Sequence, residues 1–158
     1  MKKYLAVLLT LALLAGALVL PAQAVSPAWT LTVNGKAMDL SALPAPVREE
    51  NGTVMIPLRL TAEALGLTVT WLPEEKAARV EDSVQSALIR FGSADVAWTG
   101  KLKVINLSRD TAMDAPAAVV RGVTYVPARL FEEYFCTVSI GSGTVDVEPI
   151  VYTVDQTG

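Results

Sequence analysis

Gly52-Thr-Val-Met-Ile-Pro-Leu-Arg-Leu-Thr-Ala-Glu63 returns seventy residues later as Gly122-Val-Thr-Tyr-Val-Pro-Ala-Arg-Leu-Phe-Glu-Glu133. Gly52/Gly122, Pro57/Pro127, Arg59/Arg129, Leu60/Leu130 and Glu63/Glu133 coincide in register. One residue is then lost, and Thr68-Val69 is echoed by Thr137-Val138. A solenoid needs three or more repeats. Two copies instead predict one domain built from two related halves, at about residues 29–91 and 92–149.

Each copy reads as strand, proline corner, short helix, strand. Thr53 to Ile56 and Val123 to Val126 are short, apolar and β-branched, and each follows a Gly turn. Pro57 and Pro127 lack the backbone N–H that a first helical residue leaves orphaned, so the spacing places both prolines there. Gly66 tolerates positive φ and marks the end of the first helix; the second copy has Cys136 nearby instead. At about 100° per residue, Arg59 and Glu63 form one narrow polar stripe between apolar faces, and Arg129 and Glu133 repeat it. Helices apolar over most of their circumference are wrapped by other elements. The expected class is α+β, with largely antiparallel strands around two short helices.

The run Ile56-Pro57-Leu58-Arg59-Leu60, Glu63-Ala64-Leu65-Gly66 and Val69-Thr70-Trp71 resembles the copper amine oxidase N-terminal-like, or stalk, domain. Val33-Asn34-Gly35-Lys36 and Val126-Pro127-Ala128-Arg129 fit the same pattern, and the likeness covers roughly residues 29–149. It departs at Ala128, where Leu is usual, and at Tyr134-Phe135-Cys136, where Ala-Leu-Gly is usual. The resemblance implies the same α+β class. It also implies a non-catalytic appendage, separate from the copper centre of the amine oxidases that carry it.

The rest of the chain is punctuated by turns. Asn34-Gly35 is a two-residue hairpin signal between Trp29–Val33 and Lys36–Leu40, and residues 41–46 read as a loop. Strands are expected at 77–81, 86–91, 95–98 and 101–106, with 108–116 polar and irregular. A closing hairpin turns at Gly141-Ser142-Gly143. Residues 150–158 read as a loosely ordered tail.

The N-terminus has the three parts of an export signal: Lys2 and Lys3, an apolar run from Leu5 to Leu20, and Ala22-Gln23-Ala24. The apolar run is short for a membrane span, which takes about 20 residues, although an uncleaved anchor is the competing reading. Residues 1–24 are therefore expected to be removed, leaving 25–149 as the domain. Losing two lysines moves the net charge from −3 to −5. Such an acidic chain lacks the basic footprint of a nucleic-acid binder. The expected location is secreted or cell envelope.

Chemistry is conspicuous by what the chain lacks. There is no His and one Cys. That removes the usual general base, Ser-His-Asp and Cys-His catalysis, and the donor sets of zinc or copper sites. No metal, cofactor or catalytic residue is expected. Cys136 reads as a small buried hydrophobe, with a reactive or dimerising thiol as the alternative. The pairs Glu49-Glu50, Glu74-Glu75, Glu81-Asp82 and Glu132-Glu133 are adjacent residues that point apart. A hydrolase built on carboxylates alone would need them to face each other across a cleft.

Pro57, Arg59, Glu63, Gly66, Pro127, Arg129 and Glu133 are thus read as structural motif residues. The Arg/Glu stripes serve either as exposed i,i+4 ion pairs or as half-buried arginines holding strand-end carbonyls. Trp98, Trp29 and Trp71 are the candidate interaction surface, with Trp98 expected to be the most exposed. Two functions compete: docking to an envelope protein, and binding of carbohydrate or peptidoglycan through exposed aromatics. If the leader is cleaved as read, N-terminal sequencing of exported protein begins at Val25; an intact, membrane-embedded N-terminus contradicts the reading.

Overall fold

The computed structural model describes residues 28–45 and 47–151. The expected leader and nearly all of the expected tail lie outside the described residues. Among the described residues, thirteen strands, one α-helix and two 3₁₀ helices follow in order.

Three hairpins use the same two-residue turn with positive φ at both positions, the geometry that matches strand twist. Asn34 and Gly35 join β1 (Thr30–Val33) to β2 (Lys36–Ala37). Asn51 and Gly52 join β3 (Arg48–Glu50) to β4 (Thr53–Pro57). Arg121 and Gly122 join β10 (Ala118–Val120) to β11 (Val123–Pro127). β4 and β11 then pair antiparallel, with Ile56 opposite Val126, and form the centre of a sheet ordered β10-β11-β4-β3.

Both central strands run into proline and turn. Pro57 has φ −67° and ψ 118°, so it is the extended residue before α1 (Leu58–Ala64), one position earlier than the sequence suggested. Pro127 likewise precedes a 3₁₀ helix at Ala128–Tyr134. Thr61 donates its hydroxyl to the Pro57 carbonyl at 2.8 Å, which satisfies a buried side chain inside α1. α1 ends in a Schellman arrangement: Leu67 N–H reaches Ala62 O, Gly66 N–H reaches Glu63 O, and Gly66 takes φ 80°.

The second helical segment differs in kind. Ala128, Phe131 and Tyr134 are buried at intervals of three, and a 3₁₀ helix eclipses i and i+3. In α1 the buried residues are Leu58, Thr61 and Ala62, the α spacing. Neither helix is wrapped all round. Leu130 is buried, but Leu60 is only half-buried, because α1 is covered on one side.

After α1, five antiparallel strands follow in chain order: β5 (Thr68–Leu72), β6 (Ala77–Glu81), β7 (Gln85–Arg90), β8 (Asp95–Gly100) and β9 (Arg109–Ala112). A 3₁₀ turn, Pro73–Glu75, links β5 to β6. The strand expected at 101–106 is absent; β9 forms instead within the stretch read as irregular, paired to β8. After the second helix, β12 (Cys136–Gly141) and β13 (Thr144–Pro149) form a hairpin. β13 also pairs parallel with β1, so chain ends far apart in sequence share a sheet ordered β12-β13-β1-β2. The other strand pairs are antiparallel, and the strand-rich fold with its short helices is consistent with α+β. Leu31 and Val147, Ile56 and Val126, and Val80 and Ile89, from three different sheets, belong to one buried cluster.

The burial difference sets an expectation for stability. Leu58→Ala and Leu130→Ala should each cost roughly 2–5 kcal/mol, as for emptied core leucine sites. Leu60→Ala should cost less than either. Urea unfolding followed by two probes measures all three; a Leu60 variant as damaged as Leu58→Ala contradicts the one-sided packing of α1.

Candidate functional site

The exposed side of α1 borders an apolar concavity. It is a groove of about 600 Å³, within the range of ligand sites. Pro57 and Leu58 form its base where β4 turns into α1. Leu60, Val69, Trp71, Phe91, Val119 and Val123 supply an apolar lining from α1, β5, the end of β7 and the β10–β11 hairpin. Arg59 and Glu63 stand among its lining residues.

Each feature has a local cause. β5 is an edge strand, on which Val69 is partly buried against the core and Trp71 is exposed. Trp71 remains 43% exposed although its ring stacks on Phe91, with centroids 4.6 Å apart and planes 9° apart. Phe91 is held in turn by a parallel bridge to Ala117. Arg59 Nη1 lies 3.4 Å from Glu63 Oε1, and both side chains are more than half exposed. This is the open ion pair, not the half-buried arginine binding strand-end carbonyls.

The second stripe does not repeat the first. Arg129 pairs with Glu132 at i,i+3, at 2.7 Å. Glu133 pairs instead with Arg109 of β9, because tighter 3₁₀ winding carries residue 133 away from residue 129. Arg109 also donates to Gln85 Oε1 and Leu107 O, both at 3.1 Å. Its guanidinium sits 4.4 Å from the centroid of Trp98, a cation–π distance. The completely buried Gln85 donates to the Glu133 carbonyl at 2.8 Å. Residues 24 and 48 positions apart are thereby brought together, which no spacing in the sequence signals.

The three tryptophans separate. Trp98, expected to be the most exposed, is 3% exposed. It alternates with Val96 on the inward face of β8, donates Nε1–H to Thr111 Oγ1 at 2.8 Å, and packs on Tyr134 with centroids 5.1 Å apart. Trp29 is half-buried against the core. Trp71 alone of the three is open.

Among the described residues, no group of three or more His, Cys, Asp or Glu is placed to hold a metal ion. Copper sites draw on imidazole and thiolate donors. The chain has no His, and Cys136 is a single buried thiol, so the residues present do not fit copper. Adjacent carboxylates diverge, as Glu132 and Glu133 do toward separate arginines. No described helix is long and apolar enough to cross a membrane.

A family model for the copper amine oxidase N-terminal domain matches residues 32–148. No curated protein and no solved structure matches the chain.

Two buried groups give the protein an alkaline limit. Burial, with the nearby Glu148, pushes the Cys136 thiol from 9.0 up to about 11. Burial also raises Tyr134, whose hydroxyl donates to Val80 O at 3.0 Å. Both groups lose their protons at lower pH when unfolded. Stability is therefore complete below about 9 and falls as pH rises from there toward 11. Urea midpoints measured across that window should fall, and Cys136→Ala should flatten the decline. At pH 8, alkylation of Cys136 should be slow in native protein and fast in urea.

Proposed function

This chain belongs to the copper amine oxidase N-terminal domain family, and we propose that it is an exported, non-catalytic interaction module of the cell envelope. Domains of this family form a non-catalytic part of amine oxidases. Its partner is an envelope protein that places an apolar segment in the groove beside Trp71. The observation that carries this reading is the groove itself: an apolar lining, one exposed tryptophan and an ion pair among its lining residues. Interface cores favour aromatic anchors in desolvated pockets with charged groups at the rim. The export-signal pattern read in the sequence at residues 1–24 supports export.

The domain is read as two related halves. In support, strand, proline, helix and strand follow in the same order twice, and Ile56 pairs with Val126, its counterpart in the sequence repeat. Carbohydrate binding through the tryptophans fits less well. Trp98 is buried, Trp29 packs on the core, and Phe91 covers one face of Trp71.

Binding of the mature domain to washed envelopes tests the reading. Binding, measured in excess soluble β-1,4-linked oligosaccharide so that any polysaccharide contact is competed away, should saturate and disappear when the envelopes are treated with protease. Trp71→Ala and Leu60→Asp should abolish it while leaving the melting temperature near that of the parent. Variants that bind like the parent would remove the groove from the interface. Binding that resists protease but is lost to polysaccharide hydrolases would move the function to carbohydrate.

A further inference from the structure

Phe135 is the residue whose backbone and side chain disagree most. It follows the second helix with φ 58° and ψ 42°, in the left-handed region. Once the lost residue is allowed for, the first copy has Gly66 at this place, with φ 80°. A side chain in this region crowds the backbone, a penalty glycine escapes. The other described non-glycine residues at positive φ are Asn34, Asn51, Lys76 and Arg121, none of them aromatic. Burial does not offset the strain, because Phe135 is 49% exposed. Strain retained at an exposed aromatic points to a use for the ring.

The ring lines a shallow depression of about 430 Å³, distinct from the Trp71 groove. Besides Phe135 and Leu107, its lining residues are polar or charged, and several are already fixed in place. Arg109 is anchored by Glu133, Gln85, the Leu107 carbonyl and the face of Trp98. Asn106 Oδ1 accepts the Ser108 N–H at 3.0 Å, which leaves its amide donors to act outward. Ser108 Oγ accepts the Gly100 N–H at 3.0 Å and keeps its own O–H to donate. Glu133 uses one oxygen for Arg109, and its second oxygen has no hydrogen-bond partner among the described residues.

This chemistry selects among ligands. An anion would meet Glu132 and Glu133, and a cation would meet Arg109. An apolar peptide or acyl chain would desolvate charged groups without replacing their hydrogen bonds, which is unfavourable. A pyranose ring offers an apolar C–H face for an aromatic ring and hydroxyls that both donate and accept. Those are the complements of Phe135, Asn106, Ser108 and Glu133. The site is open to solvent, so a ring can sit within a longer chain.

We propose that the depression around Phe135 binds a neutral sugar ring of a polysaccharide, stacked on Phe135 and hydrogen-bonded by Asn106, Ser108 and Glu133. This site does not depend on the Trp71 groove. The test is isothermal titration calorimetry of the mature protein with the β-1,4-linked tetrasaccharides of glucose and of N-acetylglucosamine. At least one should bind saturably at one site. Phe135→Gly should weaken it by about tenfold or more, with thermal stability kept or raised because glycine relieves the backbone. Phe135→Trp should retain binding, and Trp71→Ala should leave it unchanged. The proposal is overturned if neither sugar binds, if Phe135→Gly binds like the parent, or if Trp71→Ala is the variant that loses binding.

Discussion

The antiparallel pairing of Ile56 with Val126, both fully buried, is the constraint on which the rest of the molecule depends. Each strand of that pair ends in a proline, opposite Tyr125 for Pro57 and Met55 for Pro127, which has no N–H with which to extend the ladder. The chain must then turn, and both helices start within one residue of the seam. β5 and β12 leave those helices and seed the two outer sheets. β13 closes the structure by pairing with β1, so the first and last described strands are tied to the same core.

From a shared start the two helical segments diverge, and the divergence creates two different surfaces. α1 keeps the α spacing and leaves Leu60, Arg59 and Glu63 on an uncovered side, beside edge strand β5. An apolar groove results. The second segment winds as a 3₁₀ helix, so Glu133 swings toward Arg109 and Phe135 takes the position of a glycine cap. A depression with one aromatic wall and a mixed polar and apolar lining results. The difference traces to a few residues: Phe131 and Tyr134 at a spacing of three, and Phe135 where Gly66 stands in the other copy.

Local signals in the sequence were strong where backbone chemistry forces the outcome. Asn34-Gly35, Asn51-Gly52, the two proline corners and the Gly66 cap all announce their conformations. The outer surface was harder to read. Trp98 precedes Thr99-Gly100, a pair with turn character, yet β8 continues through Gly100 and its alternation puts Val96 and Trp98 on one inward face. β9 has little strand character of its own and exists because β8 offers an edge. The parallel β1–β13 pair and the Gln85–Arg109–Glu133 cluster join residues with no spacing relation, so tertiary packing alone creates them. Leu60 looked like its counterpart Leu130, but burial depends on what lies opposite, which a repeat does not encode.

If the Ile56–Val126 seam organises the fold, its opening must coincide with global unfolding. Native-state hydrogen exchange in low urea measures this residue by residue. The hydrogen-bonded amides of β4 and β11 should be among the slowest, with exchange free energies equal to that of global unfolding. Protection that persists in β6 and β7 after β4 and β11 have exchanged would contradict the account, because the five-stranded sheet would then stand without the seam.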